Sequence, residues 1–313
     1  MHATGPVCAV LLATFNGEQW LPEQLASLAA QRDVSLHVLV SDDLSSDRTM
    51  HILRRWQSSL ALSVLPNHFE RFGSANKNFL RLFRDSNIGA AEYVALADQD
   101  DIWNTNKLSR AIGRLRATGA AAYSSNFEAF WPDGRTQLVR KSHAQKRFDY
   151  LFGSPGPGCT FVFTRALFFE MRTWIVVNFA ALSQLWVHDW ILYAYARAHG
   201  QRWLIDNAPL IRYRQHLSNE IGVNIGLKAF QRRIAFVRSG RYRHEILTIA
   251  RLVEVDPECA RALRRLGWID RLWLIWYANE FRRSFRDVWA LRLIFFLMPA
   301  RPIPELEGNP PPK

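Results

Sequence analysis

The first hundred residues hold four short apolar runs, at residues 7–12, 36–40, 62–65 and 93–97, and each is followed by a stretch with helical spacing. Runs of this length, rich in Val, Leu and Ala, predict buried strands. Between them, Leu21, Leu25 and Leu28 share one face of a helix predicted over residues 21–31. Further helices are predicted from Ser46 or Asp47 to about residue 60, over 78–84 and over 107–117. Strands that alternate with helices predict a mostly parallel α/β sheet flanked by helices, because parallel neighbours need a crossover between them. Such sheets bind ligands outside the carboxyl ends of their strands. Three polar clusters fall at those ends: Thr14-Phe15-Asn16-Gly17-Glu18, Ser41-Asp42-Asp43-Leu44-Ser45-Ser46-Asp47 and Asp98-Gln99-Asp100-Asp101. Their convergence marks that edge of the sheet as the candidate site.

The third cluster carries the most chemistry. Three carboxylates within four residues, directly after a buried strand, offer hard oxygen ligands of the kind Mg²⁺ and Mn²⁺ favour. The plain alternative is a solvated turn or a helix N-cap, and Asp101 is placed either to support a metal shell or to cap the helix that follows.

Of the 313 residues 49% are hydrophobic, ample for one large domain or two small ones. The net charge of +12 implies an anionic partner: nucleic acid, nucleotide or an acidic lipid surface. Cys8, Cys159 and Cys259 form no CxxC pair, and an odd count gives no disulfide framework, so a reducing cytoplasm is expected. Residues 1–6 show no signal peptide, and no run of about 18 uncharged apolar residues marks a membrane span. Residues 288–298 are strongly apolar but short, and they contain Arg292.

Beyond residue 120 the alternation fades. Gly153-Ser154-Pro155-Gly156-Pro157-Gly158 predicts a flexible or tightly turned loop. A helix is predicted over 185–197, opening near His188-Asp189, with strands at 203–205 and 210–213. From about residue 227 the chain reads as helical and basic, and the Pro-rich segment 301–313 as a disordered tail.

The ordered set Ala13-Thr14-Phe15-Asn16-Gly17-Glu18, Ser41 to Asp47, Asp98-Gln99-Asp100-Asp101, Gly158-Cys159-Thr160, His188-Asp189-Trp190 and Tyr213-Arg214-Gln215-His216 resembles the family 2 glycosyltransferases. Within them it is most similar to the bacterial rhamnosyltransferase-like branch, over roughly residues 6–222. The resemblance implies a GT-A fold, Rossmann-like, over residues 1–225. Its nucleotide-sugar part would span about 1–120 and its acceptor part about 121–225. A basic amphipathic helical region follows over 226–300. It also implies an inverting, single-displacement transfer from a metal-bound nucleotide sugar.

Residue by residue, the resemblance assigns Ala13 and Thr14 to base and ribose, Phe15 to stacking on the base, and Asn16 to the same nucleotide-binding turn. Asp43 would accept the N3–H of uracil or thymine. Asp98 would lie near the ribose or the metal's water shell. Asp100 would bind Mg²⁺ or Mn²⁺ directly, with His216 as a further metal ligand and Arg214 on the diphosphate. Asp189 would be the base that deprotonates the acceptor hydroxyl. Gly158 and Trp190 would contact the acceptor. Leu44 stands where the family commonly has Gly, a departure that bears on the shape of that turn. Each assignment has a plainer counterpart: packing for Phe15 and Trp190, turn formation for Asp43, helix capping for Asp189, and a buried structural role for His216 and Cys159.

By resemblance the leading donor is dTDP-L-rhamnose, with a UDP-hexose as the alternative. The acceptor is expected to be a surface polysaccharide or lipid-linked glycan at the inner face of the plasma membrane. A sugar-1-phosphate nucleotidyltransferase would carry a Gly-rich, basic phosphate loop near the first strand, which this chain lacks. A nucleic-acid-binding protein fits the charge, but no binding motif is present and the acids gather at strand ends. Residues 228–301 hold sixteen Lys and Arg against seven Asp and Glu, nine of the twelve net charges. Helical spacing there puts Ala278, Phe281, Phe285, Val288 and Trp289 on one face and Asn279, Arg282, Arg283 and Arg286 on the other. That is the pattern of a helix lying in an anionic membrane interface. Packing on the catalytic domain, or a homodimer contact, is the alternative.

Overall fold

The computed structural model describes residues 5–66, 69–216, 235–255 and 257–299. The first half alternates as expected: β1 (Val7–Thr14), α1 (Leu21–Ala29), β2 (Ser35–Asp42), α2 (Thr49–Trp56), β3 (Leu62–Val64), α3 (Ala75–Asp85), β4 (Tyr93–Ala97), β5 (Ile102–Trp103) and α4 (Lys107–Thr118). The second half continues with β6 (Ala122–Ser125), β7 (Phe127–Phe130), β8 (Thr136–Val139), β9 (Val162–Thr164), α5 (Arg165–Leu182), α6 (His188–Ala198), β10 (Trp203–Asp206) and β11 (Ile211–Arg214). Helices at Arg241–Leu252, Pro257–Arg265, Trp268–Trp276, Ala278–Phe281 and Phe285–Leu297 follow.

The central sheet runs β10-β6-β9-β4-β1-β2-β3. β1 lies between β2 and β4 and is parallel to both, with Thr14 beside Asp42 and Leu12 beside Ala97. The three strands therefore stop at one height, and the loops that follow them share one edge. β9 runs antiparallel to both β4 and β6. Burial on both faces explains why β1 and β4 read as continuous apolar runs. Ala9, Leu11, Val94 and Leu96 face a core shared with α3, α5 and α6. Cys8, Val10, Leu12 and Ala95 face a second core with α1 and α4. The C-terminal helices add Ile246, Leu274, Phe281, Leu291 and Phe295 to the first core, beside Phe152 and Trp190.

A smaller sheet, β5-β11-β7-β8, carries the loop after β4 and the end of β11 side by side. Of its strands only β11, expected at 210–213, was legible in the sequence, and α5 was not. The other strands are two to four residues long, and α5 is apolar on more than one face. Segment 301–313, expected to be a disordered tail, and residues 217–234 lie outside the described residues.

The single amphipathic face expected over residues 278–289 is not formed. Arg282 is extended, with φ −137° and ψ 143°, and Ser284 starts a new helix by accepting the Asp287 N–H at 3.2 Å. Ala278, Phe281 and Val288 are buried, whereas Phe285 and Trp289 are exposed. Arg282 and Arg283 turn inward instead of facing solvent. Arg282 donates to the Tyr242 hydroxyl at 3.2 Å, and Arg283 pairs with buried Asp149 at 3.4 Å. Among the described residues no helix is long and apolar enough to cross a membrane.

Asn78 of α3 is buried and donates from Nδ2 to the carbonyls of Thr14 at 3.2 Å and Ser41 at 3.0 Å, tying the ends of β1 and β2 to the helix. Asn78→Ala removes both bonds and is expected to lower stability by about 1–3 kcal/mol. A shift in the urea midpoint at unchanged slope checks it.

Candidate active site

The loops after β1 and β2 are stitched together by side chains that accept backbone N–H groups. Asp42 accepts the Thr14 hydroxyl at 2.8 Å and the Ser45 N–H at 2.8 Å. Asn16 Oδ1 accepts the Ser46 N–H at 2.9 Å, and Asp47 accepts from Glu18 N at 3.0 Å. Leu44 takes the left-handed conformation, φ 57°, so the turn keeps a glycine-like shape without glycine. A leucine there costs roughly 1–2 kcal/mol of backbone strain, offset by the Asp42 bond to Ser45. Gln99, between two of the acids, holds the other side: its amide accepts the Phe15 N–H and donates to the Phe15 carbonyl, both at 2.9 Å. A Cβ on Gly17 would come within 2.4 Å of Gln99 Oε1, which is why glycine stands there.

Phe15 and Asp43 are brought together, but around a protein group. The Arg71 guanidinium lies 3.6 Å from the Phe15 ring centroid and 3.7 Å from the Asp43 carboxylate. Asp43 also accepts the N–H groups of Phe72 and, at 2.8 Å, Gly73. Thr14 is buried, and its carbonyl accepts from Asp43 N and Asn78. Ala13 precedes it inside the strand ladder, beside Ser41.

At the end of β4, Asp98 and Asp100 are partly exposed and Asp101 is fully buried. Asp100 Oδ2 lies 2.7 Å from His216 Nε2, and the His216 ring stacks on Trp20 with centroids 3.8 Å apart. The two expected metal ligands, far apart in sequence, thus meet. Arg214 donates to the Asp100 carbonyl at 2.9 Å and pairs with Glu23, so its guanidinium braces the acidic turn from below. Asp101 does not cap α4, whose N-cap is Asn106. Instead Asp101 accepts the Arg214 N–H at 3.3 Å and joins Asp98 and Cys159 in a cluster whose ligand atoms lie within 4.8 Å of one another. Burial first, then the charges of Asp100 and Asp98, hold the Asp101 carboxyl well above the usual carboxylate range. The Cys159 thiol is likewise pushed up by burial, so with no cation bound it is protonated at neutral pH. Carboxylate oxygens and one imidazole remain, a donor set that suits a hard divalent cation.

The 3₁₀ turn Gly158–Thr160 separates this cluster from the start of α6. Cys159 faces Asp101 across one side of it. On the other side, a Cβ on Gly158 would come within 2.3 Å of His188 Nε2. Gly158 is buried, and the space its missing side chain leaves is taken by the His188 ring. His188 stacks on Phe79, and burial lowers its pKa to about 3, so it is neutral. Trp190 is buried, as its packing alternative expects, and its indole N–H donates to the Tyr150 carbonyl at 2.7 Å. Asp189 lies between these two in the first turn of α6. Its Oδ1 accepts the Trp190 N–H at 2.6 Å and its Oδ2 accepts the Ser154 hydroxyl at 3.3 Å. Burial pushes its pKa up to about 6, a value suited to a proton acceptor near neutrality. Sequence reasoning missed Ser154 and Gln99. The Gly-Pro setting of one and the acidic neighbours of the other were the only signals.

The sequence pattern of Glycosyl transferase family 2 matches residues 9–186. The chain is 39% identical over 288 residues to the dTDP-rhamnosyl transferase RfbG of Shigella flexneri, covering 91% of this chain and 99% of that protein. It is 25% identical over 162 residues to an Escherichia coli UDP-Glc:alpha-D-GlcNAc-diphosphoundecaprenol beta-1,3-glucosyltransferase, WfgD, covering 51% of this chain and 60% of that one. The fold matches the crystal structure of Staphylococcus aureus TarS residues 1–349 in complex with UDP-GlcNAc, with a TM-score of 0.57 at 16% identity, over 91% of this chain and 79% of that one.

Cation binding is expected to need Asp100. Calorimetric titration with Mn²⁺ should show Asp100→Ala binding at least about tenfold more weakly than wild type, with Asp189→Asn unchanged. Equal affinity in wild type and Asp100→Ala places the cation elsewhere.

Proposed function

The chain belongs to glycosyl transferase family 2, and we propose that it moves L-rhamnose from a dTDP-linked donor onto a surface polysaccharide or lipid-linked glycan. Transfer of a sugar from a nucleotide sugar is the activity it shares with its relatives. The observation that carries the finer reading is that the thin turn Gly158–Thr160 packs on one side against His188, the neighbour of Asp189, and on the other, through Cys159, meets Asp98 and Asp101. It does so in a chain that aligns over nearly all of a dTDP-rhamnosyl transferase. A UDP-hexose donor has less support, resting on a 25% match over half the chain.

In the proposed mechanism the acceptor hydroxyl oxygen bonds to the anomeric carbon as that carbon's bond to the diphosphate oxygen breaks, so the configuration inverts. The hydroxyl proton passes to Asp189, held in position by the Ser154 hydroxyl and the Trp190 N–H. Mg²⁺ or Mn²⁺ held by Asp100 and His216, with Asp98 near its water shell, would supply the positive charge that neutralises the departing diphosphate. Pyrimidine recognition uses Phe15 and Asp43: the base takes the place of the Arg71 guanidinium over the ring, and its N3–H replaces an N–H now bonded to Asp43. Asn16 shapes this turn. The enzyme works in the cytoplasm, at the inner face of the plasma membrane.

Asp189 is protonated below about pH 6 and ionised above it, so it accepts a proton only on the alkaline side. Turnover is expected to rise through about pH 6. Asp189→Asn should keep donor affinity, lose roughly 10²-fold or more in turnover and abolish the rise. A pH–rate profile that survives in Asp189→Asn assigns the base to another group.

Asp43→Ala is expected to weaken thymidine or uridine diphosphate binding by about 1–3 kcal/mol, the worth of a hydrogen bond to a charged acceptor. A binding panel of nucleoside diphosphates measures it, and preference for a purine in the wild type would refute pyrimidine recognition.

A further inference from the structure

Of fourteen exposed large apolar side chains among the described residues, nine lie between residues 268 and 296. All but Tyr277, which directly follows the first, fall on two helices. Trp268, Leu272 and Trp276 recur at helical spacing along Trp268–Trp276, and Trp289, Leu293 and Phe296 along Phe285–Leu297. Trp268 and Trp276 are 75% and 79% exposed, far beyond what a scattered surface tryptophan needs. The two helices are locked antiparallel by reciprocal arginines. Arg271 donates to the carbonyls of Phe296, at 3.1 Å, and Met298, at 2.6 Å, while Arg292 donates to the Ile275 carbonyl at 3.3 Å. The apolar faces are thus part of a fixed surface, not a frayed end.

We propose that this helix pair is the surface that seats the enzyme in the interface of an anionic lipid bilayer. The proposal rests on the membrane-face location given above and names the surface responsible. Tryptophan concentrates at the headgroup level because its ring is apolar and its N–H is polar. The exposed charges flanking the patch, between residues 258 and 299, are Arg261, Arg264, Arg265 and Arg286 against Glu258 and Asp287, so the rim is net positive and complements anionic headgroups. A second copy of this chain is the poorer occupant, since it would bring two molecules of net charge +12 face to face. The helices are also placed for the chemistry. The segment joining them carries Arg283, which donates to the Ser154 carbonyl, and the Ser154 hydroxyl donates to Asp189. A bilayer-bound acceptor would therefore meet the base one short connection from the docking surface.

The test is flotation of the full chain with vesicles of phosphatidylcholine alone and of phosphatidylcholine mixed with phosphatidylglycerol. The wild type is expected to float with the anionic vesicles at low salt and to be released as salt rises. A variant combining Trp268→Ser, Leu272→Ser, Trp276→Ser and Trp289→Ser is expected to partition at least about tenfold more weakly. Its release of nucleoside diphosphate from the donor in solution should stay at the wild-type level, which also reports that it is folded. That solution assay separates the two claims: a wild type that never turns over a nucleotide sugar refutes the catalytic reading, whatever the vesicles do. The docking inference is overturned if the wild type stays with the soluble fraction, if it floats equally with both vesicle types, or if the variant floats as well as the wild type. It is equally overturned if the wild type is a dimer in solution that the variant dissolves.

Discussion

The site depends on a parallel register that brings β1, β2 and β4 to a stop at one height. Because Thr14 pairs with Asp42 and Leu12 with Ala97, the loops after these strands begin within bonding distance of one another. Their backbone donors are then consumed by side chains: Asp42, Asp47, Asn16 and Gln99 each accept an N–H from a neighbouring loop or from their own turn. A loop whose N–H groups are already satisfied cannot relax to solvate nearby carboxylates. Asp98, Asp100 and Asp101 are consequently held together despite their repulsion, and Asp101 answers by resisting ionisation. A divalent cation bound there would relieve that repulsion.

The first half of the chain was legible because its strands are buried on both faces and its helices on one, so sequence period and structure agree. The strand at residues 93–97 was read to the residue. The meeting of Asp100 with His216 was legible only through the family resemblance. Asp100 lies in the turn between β4 and β5 and His216 just past β11, and nothing local in either segment points to the other. Side-chain direction was not legible at all. Trp190 and Asp189 are adjacent, yet one points into the core and the other toward Ser154, because consecutive residues on a helix diverge by about 100°. Gly158 was read as space for a ligand, whereas the space belongs to His188, a contact set by tertiary packing alone.

The C-terminal helices show the same limit from another direction. Helical spacing put Phe281 and Phe285 on one face, which holds only if the helix is continuous. Arg282 and Arg283 have inward partners, Tyr242 and Asp149, and Ser284 can cap a new helix. Those local interactions outweigh continuity, and the break rotates the second helix so that Phe281 enters the core while Phe285 leaves it. The apolar surface predicted from the sequence therefore exists, but on a helix pair and built largely from other residues.

The strand-end turn is acidic at Asp98, Asp100 and Asp101, where a cation would find oxygen ligands. Near the start of α6 the balance is different: Arg197 and Arg283 both pair with the buried Asp149, and Arg283 also donates to the carbonyl of Ser154, whose hydroxyl Asp189 accepts. Burial raises the Asp189 pKa, and the Trp190 N–H, the Ser154 hydroxyl and the charge of Lys141 oppose that rise. Burial without those partners would keep a carboxyl protonated at neutrality, and full solvation would leave it too weak a base to act. The value of about 6 reflects both: burial from the core beneath α6, and opposing hydrogen bonds and charge from Trp190, Ser154 and Lys141.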